Sequence, residues 1–332
     1  MRPVNRRALL GCVLAAILGC GRETQRRADD GRAPAAQGAV PFVPPAVSAA
    51  ASTSQEPGAI SYRERAFESS PVGREKAVFV VPRWGKPGER FPLLVALHGR
   101  GEAVRGVDAG AWGWIRDYEL DRAMARLRSP PLTRQDFKGF VDEERLQRIN
   151  ASLAERPFRG LVVVCPWVPD VLSDRDRPNF DAAAPFGDFV VQQLLPGALS
   201  DTPALADPGA TGIDGVSLGG RVALQVGLSH PERFGAIGTL QPAIQDAEAA
   251  ELARRAGRAL AGAQSLRLRL LTSDRDYFRP GIGSLHAALL AARVPHEHLV
   301  VVGPHDYVFN RGPGGIEMLL WHDRVLRGEE AL

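Results

Sequence analysis

The sequence predicts an α/β fold, in which helices cover both faces of a mostly parallel central sheet. From about residue 60 onward, short apolar runs alternate regularly with segments of helical periodicity, which is the pattern of strand–helix–strand units. Several runs, such as residues 161–165, are apolar without interruption, as is typical of strands that are buried on both faces. The chain has 332 residues and is 45% hydrophobic, which is enough for one large domain with its own core.

The predicted elements follow one another in chain order. Strands are expected at residues 77–81, 92–97, 160–165, 211–215, 234–240, 266–272 and 298–302. Helices are expected near residues 112–127, 143–155, 186–195, 219–229, 246–260, 283–293 and 316–327. Residues 128–158 exceed a usual connection and include a charged helix, so we expect an insertion there that serves as a lid or a partner surface.

The N-terminal segment predicts export. Basic residues Arg2, Arg6 and Arg7 precede an apolar run at 8–19, which is shorter than the roughly 20 residues that a membrane-spanning helix needs. The run ends in Ile-Leu-Gly-Cys20, which resembles the lipobox of bacterial lipoproteins. This resemblance implies a signal peptide at 1–19 and a chain anchored in the cell envelope by lipid on Cys20, on the periplasmic side or at the cell surface. The alternatives are an ordinary secretory signal and a buried helix with an incidental cysteine.

Residues 20–59 are predicted to be a flexible tether. They are rich in Pro, Ala, Ser and Gly, and such a stretch buries too little apolar surface to offset the entropy of ordering it. The folded domain is therefore expected at 60–332. With Cys20 lipidated and Cys12 removed with the signal, Cys165 has no disulfide partner, and its apolar surroundings predict a small buried side chain.

The charge balance excludes nucleic acid as a partner. The chain has 41 basic and 38 acidic residues, and removal of the three arginines of the signal peptide would make the two numbers equal. An even balance without a basic cluster lacks the electrostatic footprint of a nucleic-acid-binding protein. The composition also excludes a collagen, a coiled coil, a disulfide-rich miniprotein and a polytopic membrane protein, so contact with a membrane is expected through the lipid alone.

The sequence Gly215-x-Ser217-x-Gly219 marks a candidate nucleophile. It lies between a predicted strand and a predicted helix, where a strained turn lifts a serine hydroxyl above the edge of the sheet. Glycine is needed on both sides because the tight turn leaves no room for a Cβ. The alternative is a glycine-rich turn in which the serine has no role.

A second turn, His98-Gly99-Arg100-Gly101, follows the predicted strand at 92–97. A turn of this kind upstream of a nucleophilic serine supplies backbone N–H groups to an oxyanion. The candidate donors are the N–H groups of Leu218 and of Arg100 or Gly101. We expect His98 itself to be structural.

The candidate base and acid follow later strands. His305 comes directly after the last predicted strand, 88 residues beyond Ser217, where the carboxyl end of a parallel strand lies on the same edge of the sheet as the serine. Asp274 and Asp276 both follow the strand at 266–272. Asp276 is favoured because it stands directly before an aromatic pair where the loop should turn toward the base, and Asp274 remains the alternative. The order Ser, Asp, His is one of the known orders of a catalytic triad.

These motifs resemble those of the esterase D-like family of α/β-hydrolases over roughly residues 75–325. The resemblance rests on the segments at 97–101, 188–196, 215–220, 230–234, 276–278 and 303–309. Tyr307 stands where the family usually has tryptophan. The family includes feruloyl and acetyl-xylan esterases, siderophore esterases and mycolyltransferases.

The resemblance implies an α/β-hydrolase fold and hydrolysis of a carboxylic ester, in a small molecule, a polysaccharide or a polyester. Ser217 would attack the carbonyl carbon, His305 would act as the base and Asp276 would orient the imidazole. No metal and no cofactor are expected. Two other functions remain open, namely an acyltransferase with the same triad and a non-catalytic binding lipoprotein.

Three tryptophans and one charge complete the candidates. Trp112, Trp114 and Trp167 follow strand ends on the side of the serine, so they could line an acyl or sugar pocket, and packing beneath the insertion is the equal alternative. Asp214 is an unusual charge directly before the serine turn, for which Arg221 is a candidate partner.

Overall fold

The computed structural model describes residues 59–171, 180–263 and 265–331. Within these residues one sheet contains eight strands: β1 (Ile60–Phe67), β2 (Glu75–Pro82), β3 (Leu93–Leu97), β4 (Val162–Pro166), β5 (Thr211–Gly215), β6 (Ala236–Ile237), β7 (Arg267–Arg275) and β8 (Glu297–Pro304). Their order across the sheet is β1-β2-β4-β3-β5-β6-β7-β8.

The sheet is antiparallel at one side and parallel from β4 to β8. β2 pairs antiparallel with both β1 and β4, and every later neighbour pair is parallel. The carboxyl ends of β3, β5, β7 and β8 therefore lie at one edge of the sheet, where the candidate residues follow them. The predicted mostly parallel sheet is confirmed.

Helices connect the strands. They are α1 (Arg100–Ala103), α2 (Val107–Gly110), α3 (Gly113–Arg116), α4 (Leu120–Arg128), α5 (Glu143–Glu155), α6 (Ala184–Phe189), α7 (Leu195–Asp201), α8 (Leu218–Ser229), α9 (Ala249–Gly262), α10 (Arg279–Ala291), α11 (Tyr307–Phe309) and α12 (Gly315–Val325). Wider π-helical turns lie at Val190–Leu194 and Asn310–Gly314, and 3₁₀ turns at Pro208–Ala210, Pro231–Arg233 and Asp246–Glu248.

The sheet is buried between two helical layers. Alternate residues of β3 point to opposite sides: Leu93, Val95 and Leu97 join one apolar cluster with α6, α8, α9 and α10, while Leu94 and Ala96 join a second cluster with α3, α4, α5 and α12. All five residues of this strand are buried. This explains why its sequence is an unbroken apolar run rather than an alternation of polar and apolar residues.

Two predicted elements differ from the structure, and one strand was not predicted. The helix expected at 112–127 is divided into α3 and α4, because Glu119 adopts a left-handed backbone with φ of 53° that an α-helix cannot continue through. The strand expected at 234–240 is reduced to two residues, and Leu240 makes only single bridges to Val216 and Leu271. β1 was not predicted from the sequence.

The insertion at 128–158 packs onto the rest of the domain. Phe137 and Ile149 are fully buried within the second apolar cluster. The Arg145 guanidinium in α5 donates from Nε and Nη2 to the two carboxylate oxygens of Glu317 in α12, at 2.8 and 2.6 Å. Both partners of this ion pair are buried. The described insertion is thus held against the core, which does not suit a lid that opens.

In the part of the chain that the structure describes, no helix combines the length and the hydropathy needed to span a bilayer. The expected signal peptide and most of the expected tether lie outside the described residues.

Candidate active site

Ser217 sits at a strained turn between β5 and α8. Its backbone has φ of 56° and ψ of −115°, a conformation that residues other than glycine rarely adopt. Backbone hydrogen bonds hold it there: Ser217 N donates to Leu240 O at 2.9 Å, and Ser217 O accepts from Ala243 N at 3.0 Å. The neighbouring strand end therefore fixes the serine in a conformation that the chain would otherwise avoid.

Close approach explains the glycine after the serine. A Cβ on Gly219 would clash with the carbonyl oxygens of Leu97 and His98, which end β3 and begin the next turn. The start of α8 therefore lies directly against the segment that leads into Arg100 and Gly101. This contact brings the serine turn beside the histidine-glycine turn, as the motifs predict.

The predicted oxyanion donors begin two helices. Leu218 is the first residue of α8, and Arg100 and Gly101 are the first residues of α1. The first N–H groups of a helix have no acceptor within the helix. All three amides thus belong to the class of backbone donors that can bind an oxyanion. The side chain of Arg100 turns elsewhere, and its Nε donates to Asp170 Oδ2 at 2.8 Å.

His98 is a buried structural residue. It is 1% exposed, and its Nδ1 lies 2.9 Å from Gly99 O while its Nε2 accepts a hydrogen bond from Val168 N, also at 2.9 Å. The second bond requires an imidazole without a proton on Nε2. Burial lowers the pKa of His98 to about 4. The neutral ring therefore connects the turn after β3 with the segment after β4.

His305 and Asp276 meet at the carboxyl ends of β8 and β7. His305 Nδ1 lies 2.8 Å from Asp276 Oδ1, and side chains of both residues are at least nine-tenths buried. The carboxylate also accepts hydrogen bonds from Thr272 Oγ1 at 2.7 Å and from Phe278 N at 2.9 Å. These bonds fix the carboxylate, and because Nδ1 faces Asp276, Nε2 is the ring nitrogen of His305 that can accept a proton from another group.

Asp274 lies at the end of β7, and its side chain contacts the backbone of β8. Its Oδ1 accepts a hydrogen bond from Gly303 N at 2.8 Å, and its side chain is 46% exposed. Asp274 therefore secures the end of β8 rather than the imidazole of His305.

Gln241, which the sequence motifs did not single out, links the serine turn to the ends of β7 and β8. This buried residue follows Leu240, and its Nε2 donates to Pro304 O at 2.9 Å and to Ser273 Oγ at 2.6 Å. Its own N donates to Leu271 O at 2.7 Å. One amide side chain thus joins the ends of β7 and β8 beside Ser217. Its position directly after a predicted strand was the one signal available in the sequence.

The structure favours packing for two of the three tryptophans. Trp114 is fully buried, with its ring 4.9 Å from that of Tyr118. Trp112 donates from Nε1 to Glu64 Oε1 of β1 at 2.7 Å, and β1 lies at the edge of the sheet opposite β8. Both rings are therefore engaged in contacts within the fold.

Trp167, the third tryptophan, is half-buried. Its Nε1 donates to Ala103 O at the end of α1, at 3.1 Å. The ring therefore supports the helix that begins with the predicted oxyanion donors, Arg100 and Gly101. This contact gives it a packing role beneath the site.

Asp214 does not pair with Arg221. Its Oδ2 lies 3.1 Å from His322 Nε2 and 3.8 Å from Arg269 Nη2, whereas Arg221 Nη1 donates to Glu248 Oε2 at 2.6 Å. The side chains of Asp214 and Arg221 thus find different partners because the alternation along β5 and the start of α8 turns them apart.

Of the cysteines, Cys165 is the one that lies in the described part of the chain. Cys165 is 1% exposed in β4, and burial raises the pKa of its thiol, so it is an unreactive core side chain. Cys20 lies outside the described residues.

Comparisons with known proteins show which family and which folds the chain resembles. Residues 166–273 match the model of the family described as "Putative esterase". A ferulic acid esterase superposes with a TM-score of 0.59 at 15% identity, covering 80% of this chain and 98% of that one. An S-formylglutathione hydrolase from Staphylococcus aureus gives a TM-score of 0.57 at 13% identity, covering 80% and 99%. No curated protein matches the sequence.

The family model spans β5, the serine turn and most of β7, and the structural neighbours share the sheet with its two helical layers. The predicted α/β-hydrolase fold is confirmed. The chain therefore has the α/β-hydrolase fold, and its residues 166–273 are similar to an esterase family.

Proposed function

We propose that the chain hydrolyses carboxylic esters through Ser217, His305 and Asp276, by way of an acyl-enzyme intermediate. The observation that carries the proposal is the 2.8 Å contact between His305 Nδ1 and Asp276 Oδ1 at the sheet edge where the strained turn presents Ser217. This combination of a strained serine and an oriented imidazole is the arrangement that activates a hydroxyl for attack.

The reaction follows from the positions of these groups. His305 Nε2 takes the proton of Ser217 as its oxygen attacks the ester carbonyl, and the N–H of Leu218 with that of Arg100 or Gly101 binds the negative oxygen that develops. His305 then returns the proton to the departing alcohol. A water molecule, deprotonated by the same imidazole, releases the acid from Ser217. Asp276 holds the imidazole and stabilises its cation throughout.

The test is a fluorophosphonate probe together with a panel of p-nitrophenyl esters. Ser217→Ala should abolish covalent labelling and lower kcat by about 10⁴-fold or more. Full turnover by Ser217→Ala would refute the mechanism. Asp276→Asn should lower kcat strongly because the imidazole loses its carboxylate partner.

Asp274→Asn is the matched control for the acid, since it makes the same chemical change two residues away. The amide oxygen of asparagine can still accept the hydrogen bond from Gly303 N, so kcat should remain close to that of the native chain. If Asp274→Asn lowers kcat strongly and Asp276→Asn only slightly, the assignment of the acid is wrong, while the proposal of a serine hydrolase still stands.

The acyl group and the alcohol can be found by screening. The structural neighbours include a ferulic acid esterase and an S-formylglutathione hydrolase, so feruloyl esters and S-acyl glutathione are suitable first substrates after the p-nitrophenyl esters. Product analysis with a sugar acceptor present separates hydrolysis from acyl transfer. Free acid as the sole acyl product supports the hydrolase, and an acylated sugar would indicate the acyltransferase instead.

We also propose that the chain is exported and anchored to a bacterial membrane by lipid on Cys20. The basis is the basic residues and short apolar run before Ile-Leu-Gly-Cys20. In a bacterial host, Cys20→Ser should abolish labelling by radioactive palmitate and release the chain from the membrane fraction. Cys165→Ser is the control and should leave labelling unchanged. Membrane association that survives Cys20→Ser would refute the anchor.

A further inference from the structure

A buried carboxylate lies directly behind the predicted oxyanion donors. Glu102 in α1 is completely buried. Its Oε1 accepts hydrogen bonds from Tyr307 Oη and from Arg105 Nη2, each at 2.8 Å, and its Oε2 accepts from Tyr118 Oη. Burial raises the pKa of Glu102. Because both carboxylate oxygens already accept hydrogen bonds, the arrangement fits the ionised carboxylate.

Tyr307 connects this carboxylate to the segment that carries the base. It stands two residues after His305, at the start of α11. A Cβ on Gly101 would overlap the Tyr307 hydroxyl, so that hydroxyl rests against the backbone of the oxyanion turn. The glycine at position 101 is needed for this contact, and the segment that follows β8 therefore touches the segment that follows β3.

Tyr118 connects the same carboxylate to the oxyanion turn. Its hydroxyl donates to Glu102 and accepts a hydrogen bond from Gly99 N at 3.2 Å. Gly99 immediately precedes the candidate donors Arg100 and Gly101. The rings of Tyr118 and Tyr307 lie 5.6 Å apart. Two phenols thus meet at one carboxylate, one attached to each half of the catalytic apparatus.

We propose that Glu102 is a positioning residue that holds the oxyanion turn and the His305 segment in one fixed relation, through Tyr118 on one side and Tyr307 on the other. This role rests on the proposed function of Ser217 and His305. Glu102 does not touch the substrate. Its contribution appears in the transition state, where the oxyanion donors and the base act on the same reacting carbonyl group and must be aligned together.

The principal test is Tyr307→Phe, which removes one hydroxyl and keeps the ring. We expect kcat for p-nitrophenyl esters to fall by about 10- to 100-fold, the loss that a hydrogen bond to a charged group predicts, while KM changes less than about twofold. A fall confined to kcat is the signature of an interaction used in the transition state. An unchanged kcat would overturn the proposal.

Tyr62→Phe is the matched control. Tyr62 Oη also donates to a carboxylate, Asp121 Oδ2, at 2.8 Å, but on β1, at the opposite edge of the sheet from β8. It should leave kcat unchanged and should lower the melting temperature no more than Tyr307→Phe does, because its hydrogen bond is exposed. If kcat falls only in proportion to the loss of stability in both variants, the role of Tyr307 is structural only and the proposal fails.

Glu102→Gln tests the shared carboxylate. An amide nitrogen cannot accept a hydrogen bond, so at least one phenol must lose its acceptor, and kcat should fall at least as far as in Tyr307→Phe. Adding Tyr307→Phe to Glu102→Gln should then cost little more, because the connection is already broken. Losses that multiply independently would contradict a role through Glu102.

Failure of this inference can be told from failure of the proposed function. If Ser217→Ala is inactive and unlabelled while Tyr307→Phe has native kcat, only the role of Glu102 is refuted. If Ser217→Ala keeps full turnover, the proposed function is refuted first.

Discussion

The pH dependence of folding offers a quantitative check on His98. The imidazole is buried, and burial lowers its pKa to about 4 from an ordinary value of 6.5. Because the folded-state pKa is the lower one, the neutral ring stabilises the fold above pH 6.5, and this stability is lost as the pH falls toward 4. The difference between the two values corresponds to about 3 kcal/mol in full, of which about 2 kcal/mol is lost at pH 5.

The assay is urea unfolding followed by tryptophan fluorescence at pH 7.5 and pH 5. His98→Gln places an amide oxygen where it can accept the hydrogen bond from Val168 N and removes the titrating group. The free energy of unfolding of this variant should therefore fall less between the two pH values, by about 2 kcal/mol, than that of the native chain.

A control separates titration from a general loss of stability. Tyr62→Phe removes an exposed hydrogen bond to Asp121 and should lower the free energy of unfolding by similar amounts at both pH values. If His98→Gln and the native chain lose equal free energy between pH 7.5 and pH 5, the neutral buried imidazole is refuted.

Other predictions concern the buried ion pair, a tryptophan and a glycine. Glu317→Ala leaves Arg145 buried without its partner and should cost about 3 to 5 kcal/mol of stability in urea unfolding, whereas replacing both residues by methionine should cost much less. Equal costs would contradict this. Trp112→Phe should leave KM for ester substrates unchanged, because the indole bonds to Glu64 rather than lining the site. A raised KM would indicate that Trp112 lines the substrate pocket. Gly219→Ala should lower both kcat and the melting temperature, since its Cβ would clash with a backbone carbonyl, and native values would refute the close approach.

Much of the fold follows from local patterns in the sequence. The strands at β3 and β4 were predicted within two residues because a strand buried on both faces leaves an unbroken apolar run. β5, with the sequence TGIDG, was predicted because it directly precedes the serine motif. β1 was missed because its sequence, ISYRERAF, carries three charges at the edge of the sheet. The division between α3 and α4 depends on the left-handed backbone of Glu119, and a glutamate does not predict such a backbone.

In the candidate site, too, local motifs were predictable and contacts between distant residues were not. Motifs of consecutive residues predicted the turn of Ser217 and the segment of His305, because their geometry is local. The partners of Asp214 and Glu102 could not be predicted in this way. His322 is 108 residues from Asp214, and Tyr307 is 205 residues from Glu102. Such contacts depend on the order of the strands and on the packing of the loops above them.

The hydrogen bonds of Gln241 affect how the protein should lose activity on heating. This side chain holds Pro304 and Ser273 next to the turn of Ser217, and it does so inside the core rather than in a surface loop. Ser217 and His305 therefore cannot separate by fraying of an exposed segment, which is how many enzymes lose activity below their melting temperature. Thermal inactivation should coincide with the cooperative unfolding of the whole domain, so that the temperature of half-activity becomes a direct reading of global stability.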